Sequence, residues 1–269
     1  KPLEFKRFQN WLMNRGCSSS DVHNKRAAVS ALNLFIETYL CDEYPTFHNF
    51  INRSIKAPPL SHVNEKQPLT KDELKSLIEE LERREDWQKV AYLKFTFDAG
   101  CRRAESRQIL KDIINSKPTI KTKTITDDDG STHEETVTLY QTPNIRCKGK
   151  GEVGKVRKLV FGQDTMDAFH KWLSVRADDA CPYMFVTKYQ GKIQQAGETC
   201  FNRWASDVFT PIVGRRVYPH IFRSSRATQA VIEDGKDIKS VQKLLGHESS
   251  ETTEIYVVRD ESDDVDDLF

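Results

Sequence analysis

Cysteine, long apolar runs and net charge are all scarce in this sequence, and each shortage removes a class of protein. The six cysteines (Cys17, Cys41, Cys101, Cys147, Cys181 and Cys200) stand far apart, with no C-x-x-C pair and no histidine grouped with them at zinc-ligand spacing. Neither a disulfide scaffold nor a zinc module is expected; reduced thiols in a cytoplasmic protein are. No apolar run approaches the roughly 20 residues that span a bilayer, and the opening stretch KPLEFKRFQNW lacks the continuous apolar core of a signal peptide. No membrane association is expected. Net charge is almost absent too, at +1 from 41 Lys and Arg against 40 Asp and Glu.

That balance hides an uneven distribution. The last eleven residues, RDESDDVDDLF, carry six acids and one base, so the chain before them stands at +6. The stretch RCKGKGEVGKVRK, from Arg146 to Lys158, holds six bases and one acid. A basic segment of this kind suits contact with nucleic-acid phosphates, although a solvated loop would read the same way. The 38% hydrophobic content of the 269 residues is enough for one or two folded domains.

Periodicity divides the chain. LEFKRFQNWLMNR has apolar residues at helical spacing and stops at Gly16, and CSSSDVHNKRAAVSALNLFIETYL offers caps before a long amphipathic run in which Leu32, Phe35, Ile36 and Tyr39 share a face. A short helix is expected around 46–55, and the Pro-rich, polar KAPPLSHVNEKQP reads as a linker. The first unit, 1–57, is thus a small helical domain. Its opening helix starts at once, so a front part is expected to be missing. After the linker at 58–67, Thr70 and Glu73 fit a capping box ahead of the stripe Leu74, Leu77, Ile78 and Leu81. Further helices are expected over WQKVAYLKFTFDAG, RRAESRQILKDII, 164–176, 199–210 and twice between 223 and 245. Between them the period changes: TIKTKTI and ETVTLYQ alternate around TDDDGS, and NIRCKG pairs with VRKLVFG around KGEVG. The expected fold is mostly α with a small antiparallel β-sheet.

The polar candidates fall in four short stretches. Arg102 follows AGC at a helix start, with Glu105 three residues on. His220 and Arg223 stand one helical turn apart in HIFR. His247 follows LLG, where a glycine ends a helix, and Tyr256 comes nine residues later. Each alone is common: a helix-shoulder arginine, a solvated lysine, a packed tyrosine. In this order, with a lysine of RCKGKG between the first and second, they resemble the signatures of the tyrosine recombinase (phage integrase) family of DNA breaking and joining enzymes. Those signatures are G-L-R-x-x-E, a hairpin lysine, H-x-x-R, L-G-H and a tyrosine nine residues further. The resemblance covers about 68–258, with Cys101 standing for the usual leucine.

The resemblance implies a catalytic domain over 68–258, a helical core-binding domain over 1–57, and a two-domain clamp around duplex DNA, followed by an acidic tail at 259–269. It implies that Arg102 and Arg223 clamp the scissile phosphate, that His220 orients or protonates it, that His247 donates to it, and that Tyr256 is the nucleophile. Arginine forks suit the charge on non-bridging phosphate oxygens. Attack by Tyr256 leaves a 3'-phosphotyrosyl bond and a free 5'-hydroxyl. The bond energy is conserved, so neither metal nor cofactor is implied. Protonation of the leaving oxygen falls to the hairpin lysine; Lys148, directly before Gly149, fits best, and Lys150 is the alternative. Arg146, Lys150, Lys155, Arg157, Lys158 and Arg226 are candidates for DNA-backbone contact. Glu105 is expected to hold the first arginine or a neighbouring helix.

The biological role that the resemblance implies is coarser. A mobile-element integrase, of a phage or conjugative transposon, is the leading reading, recombining two duplex sites through a Holliday junction. A chromosome-dimer resolvase is the alternative, and a type IB topoisomerase or a DNA-binding protein without chemistry are further ones. The implied partners are duplex DNA at inverted-repeat-like core sites, a homo-tetramer on that DNA, and accessory bending or directionality factors, in the bacterial cytoplasm and on the nucleoid. Val265, Leu268 and Phe269 would let the tail dock on a neighbouring protomer.

Overall fold

The structure is a computed structural model that describes residues 1–51, 55–59, 67–126, 132–147 and 154–246. Two compact units divide at Glu65 and Lys66. Among the described residues no helix is long and apolar enough to cross a membrane, and no group of His, Cys, Asp and Glu is placed to hold a metal ion.

In the first unit, α1 (Pro2–Asn14) opens with proline in its first turn, where the missing N–H costs nothing. Helix α2 (Ser19–Tyr39) is capped by the Ser18 hydroxyl, which accepts from the Asp21 amide at 3.1 Å. A small core forms from Phe5, Ile51 and Ile55. Arg26 of α2 is buried beside it, donating to the Gln9 amide oxygen of α1 and to the Ile55 carbonyl at 2.8 Å, with its guanidinium over the Phe5 ring. A buried charge is tolerated only when its donors are used, and here both ends of the fork are. The expected apolar face of α2 is a different surface from the packed one. Val22, Arg26 and Asn33 are the buried positions, whereas Leu32, Phe35 and Tyr39 are exposed, with the Phe35 ring 5.1 Å from that of its neighbour Tyr39 between centroids. The expected helix around 46–55 lies partly outside the described residues.

The second unit is built on α4 (Trp87–Ala99), which buries Val90, Ala91, Tyr92, Leu93, Phe95 and Ala99. Apolar residues spread this widely around a helix place it inside a domain. Its aromatic neighbours come from elements distant in sequence: Tyr92 stacks on Phe201 at 4.5 Å and meets Phe185 and Trp204 edge-on, while Phe95 meets Phe161 and Phe169. In front of it, α3 (Lys71–Arg83) carries the expected capping box between Thr70 and Glu73 and buries Leu74, Leu77 and Leu81. Arg215 ties this helix start to a later loop, with its Nε and Nη2 donating to the Glu73 carboxylate at 2.7 Å and its Nη1 and Nη2 donating to the carbonyls of Gln67 and Pro68. Those bonds, foremost the hydrogen bond from Arg215, hold the Glu73 carboxyl below its usual range despite partial burial. Arg215→Met removes four charge-assisted bonds at once. It is expected to lower stability by about 2 kcal/mol, read as a drop of roughly 4–8 °C in Tm.

Among the described residues the β-strands form three small antiparallel sheets. Strands β1 (Thr119–Thr126) and β2 (Thr132–Gln141) make the expected hairpin, in register from Thr119 opposite Leu139 to Thr126 opposite Thr132. Strand β3 (Ile145–Cys147) pairs with β4 (Lys155–Arg157), and β5 (Val160–Gly162) joins the other edge of β2. The sequence VRKLVFG therefore serves two sheets instead of forming one strand. The break falls at Leu159, whose side chain is buried and whose backbone is caught by Thr142, amide to hydroxyl and carbonyl to amide, each at 2.9 Å. A third pair, β6 (Val186–Tyr189) with β7 (Lys192–Gln195), has no counterpart among the expected strands.

Helices complete the unit: the four-residue α5 (Arg103–Ser106), then α6 (Gln163–Val175), and α7 (Glu198–Arg203), which runs through a π-helical stretch (Trp204–Phe209) into α8 (Thr210–Val213). Then come α9 (Pro219–Thr228), with a π turn (Gln229–Glu233) after it, and α10 (Ile238–Leu245). Architecture and expectation agree: mostly helical, with small antiparallel sheets.

Candidate active site

The site is assembled where two helices end. Helix α4 stops at Gly100, whose φ of +53° is left-handed. A Cβ there would come within 2.5 Å of the Leu245 side chain, so both backbone sign and space call for glycine. Helix α10 stops at Gly246 in the same conformation, φ +68°, and a Cβ there would stand 3.1 Å from the Arg157 guanidinium. The left-handed stop at Gly100 turns the following chain away from the helix axis, carrying Cys101 and Arg102, and Gly246 directly precedes His247 in sequence.

Arg223 joins these two ends. It lies on the buried face of α9, fully shielded from solvent. One end of its fork donates to the Gly100 carbonyl and the other to the Leu245 carbonyl at 2.8 Å. Carbonyls at helix C-termini lack partners within their own helix, and a guanidinium satisfies both while placing positive charge at the negative ends of two helix dipoles.

Arg102 stands at the N-terminus of α5, with its side chain 28% exposed. Its Nη1 lies 3.0 Å from Glu105 Oε1, and its backbone amide donates to Glu105 Oε2 at 3.1 Å. The Glu105 side chain is only 1% exposed, and Arg157 Nη2 reaches its Oε2 at 2.9 Å. Burial by itself raises the Glu105 carboxyl. The charge and hydrogen bond of Arg157, together with the bonds from Arg102, outweigh it and hold the group below its ordinary value. A depressed folded-state pKa stabilises above the unfolded value, about 4.3, and that contribution is lost as pH falls through the folded value. Glu105→Gln is therefore expected to flatten the fall of stability below about pH 4, measured by thermal melts across pH.

Arg102 and His220 line one cleft of about 840 Å³, together with Arg103, Gln108, Arg146 and Tyr218. His220 is half-buried in the first turn of α9, after Pro219. Arg103 is held by Glu198 and Asn202, each at 2.7 Å. The exposed Arg146 sits on β3, whose backbone is pinned on both sides by one amide: Gln108 accepts from the Arg146 N–H at 3.1 Å and donates to its carbonyl at 2.9 Å. Strand β3 ends at Cys147, directly before Lys148 in sequence.

The remaining candidates separate. Lys155 and Lys158 are exposed on and beside β4. Arg157 is 13% exposed and faces inward to Glu105 and the Leu244 carbonyl, a placement different from the DNA-backbone contact expected of it. Arg226 lies over the Phe97 ring and 3.7 Å from Asp234, at 31% exposure. Lys148, Lys150, His247, Tyr256 and the tail residues Val265, Leu268 and Phe269 lie outside the described residues. Sequence reasoning gives Glu105 a holding role, and the structure assigns it Arg102; it misses Arg157 as the second cation on that carboxylate, and Gln108 altogether. Neither has a motif to mark it.

Comparison with known proteins agrees with this geometry. The model of the phage integrase family matches residues 67–262. The SPbeta prophage-derived recombinase-like protein YomM of Bacillus subtilis (strain 168) is 30% identical over 99% of this chain and 76% of its own length. Tyrosine recombinase XerC of Shewanella oneidensis is 32% identical over 45% of this chain, and the match spans 39% of that protein. Among solved structures, the Tn1549 transposon integrase in complex with transposon right end DNA aligns over 100% of this chain and 84% of its own, with a TM-score of 0.65 at 14% identity. XerH site-specific recombinase bound to palindromic difH substrate aligns over 95% of this chain and 68% of its own, with a TM-score of 0.63 at 18% identity. On its motifs, its fold and these likenesses, the chain belongs to the phage integrase family of tyrosine recombinases.

Proposed function

We propose that this chain cuts and rejoins duplex DNA at specific sites, with Tyr256 as nucleophile, and serves the integration or excision of a mobile element. The observation that carries the reading is the convergence of motifs far apart in sequence. Arg102 and His220 line one cleft, and Arg223 bonds the helix ends that precede Arg102 and His247. In the proposed step the Tyr256 hydroxyl gives up its proton to solvent as its oxygen attacks the scissile phosphorus. A P–O bond to tyrosine forms, the bond to the 5' oxygen breaks, and that oxygen takes a proton from the hairpin lysine, Lys148 or Lys150. Arg102 and Arg223 stabilise the charge on the non-bridging oxygens, with His220 and His247 as further donors. A second strand's 5'-hydroxyl reverses the reaction, and two such exchanges pass through a Holliday junction.

Affinity is assigned to phosphate contacts from the exposed cations Arg146, Lys155 and Lys158 and from Lys150, with Arg226 at the margin. The first unit acts as the core-binding domain of a clamp on inverted-repeat-like sites, four protomers assemble on two duplexes, and the acidic tail docks on a neighbour through Val265, Leu268 and Phe269. Accessory bending or directionality factors, and a place on the bacterial nucleoid, belong to the same reading. A mobile element is favoured over a chromosome-dimer resolvase because the prophage-derived relative matches along 99% of this chain, whereas the XerC match covers 45%.

The test uses a supercoiled plasmid with two copies of the junction of the DNA element that encodes the protein. Recombinant products, formed without nucleotide cofactor, are expected. Relaxation of supercoils with no exchange would move the chain to topoisomerase chemistry. Specific binding with neither outcome would leave a DNA-binding protein.

A further inference from the structure

Three segments meet at one guanidinium that the proposed mechanism does not use. Arg157 of β4 donates through Nη2 to Glu105 at 2.9 Å and through Nη1 to the Leu244 carbonyl at 2.5 Å. The Cys147 thiol of β3 lies within its hydrogen-bonding reach, and Gly246 packs so close that a Cβ there would stand 3.1 Å from the guanidinium. Each of these segments carries or leads into a residue of the motifs. Glu105 takes both the amide and the Nη1 of Arg102; β3 leads to Lys148; Leu244 and Gly246 lead to His247. The guanidinium itself is turned from solvent, at 13% exposure.

We infer that Arg157 is a positioning residue for strand cleavage, setting Arg102 through Glu105 and the exit of α10 through Leu244, without contacting DNA. The inference rests on the recombinase reading for its consequence and on geometry for its substance. Lysine would keep the charge but cannot reach a carboxylate and a carbonyl in two directions at once, because it offers a single nitrogen where arginine offers a planar fork. Methionine would also remove the charge, leaving the buried Glu105 with Arg102 as its remaining cation. Burial would then act on that carboxyl with less opposition, so its protonation moves to higher pH.

The test is single-turnover cleavage of a suicide duplex by the full chain, with DNA affinity, its salt dependence and the pH profile read in parallel. Arg157→Met is expected to slow cleavage on the order of 10²-fold, to leave Kd and the salt slope unchanged, and to move the acid limb of the profile to higher pH. Arg157→Lys is expected to recover part of the rate. The double variant Arg157→Met with Glu105→Gln is expected to be no slower than the slower single one, because both act through one network. Three results would overturn the inference: a salt slope lower by about one, which marks a lost phosphate contact; additive rate losses in the double variant; or a lower Tm with cleavage rate and pH profile intact. Hydrogen exchange over 238–246 provides a readout independent of cleavage. It should rise in Arg157→Met, and unchanged exchange would contradict the proposed hold on α10. If the unmodified chain forms no DNA adduct while exchange still rises, the recombinase reading fails and the hold on α10 stands.

Discussion

Tyr256→Phe is expected to abolish covalent attachment to DNA, with a loss on the order of 10⁴–10⁶-fold in cleavage, while binding to the same duplex stays within a few-fold of the unmodified protein. The size comes from the chemistry. Phenylalanine keeps the aromatic ring but removes the only atom that can form the new bond to phosphorus. No basic or donor group elsewhere in the site substitutes for a missing nucleophile. A gel shift on an intact duplex separates the two effects, since binding draws on phosphate contacts spread over the protein. Residual cleavage above about one part in 10² would mean that another side chain attacks.

The second large effect concerns Arg223. Arg223→Lys retains a positive charge yet is expected to reduce cleavage about 10²–10³-fold and to lower stability by about 2 kcal/mol. Both losses have one origin. The guanidinium spans the Gly100 and Leu245 carbonyls, and a lysine ammonium can satisfy one of them while leaving the other buried without its partner. The two helix ends then lose their fixed spacing. One end leads into Arg102 and the other precedes His247 in sequence, so the groups proposed to bind the phosphate lose alignment. Single-turnover cleavage and thermal melts of the same preparation check the pair. A full loss of cleavage with unchanged Tm would assign Arg223 to phosphate contact alone.

Much of this site is legible in the sequence because its residues lie in short, ordered motifs flanked by helix punctuation. Glycine at 100 and 246 marks two helix ends, Pro219 marks the start of α9, and Thr70 with Glu73 marks a cap; each is local chemistry. The features that escape the sequence depend on partners far along the chain. The β6–β7 hairpin turns on Gln190 and Gly191, with φ of +47° and +78°. Glutamine is an unusual residue for the first left-handed position, and the flanking VTKY and KIQQ alternate weakly. The division of VRKLVFG between two sheets is decided by Thr142, which no periodicity within the stretch reports. Arg157 looks like its basic neighbours in the sequence. Only the fold shows that it turns inward to Glu105 while Lys155 and Lys158 stay out. The apolar stripe of α2 shows the converse: its spacing is helical, as expected, but the packed face of that helix is the one carrying Val22 and Arg26.

The central claim, a phosphotyrosyl bond made by Tyr256, has a direct measurement. A duplex carrying the element's junction, nicked beside the crossover so that cleavage cannot reverse, is incubated with the protein in a chelator, denatured and digested. The account predicts one peptide, spanning Tyr256, that carries a 3'-phosphorylated DNA strand, with a free 5'-hydroxyl on the released fragment. An adduct on any other residue, or a 5'-linked strand, would contradict it.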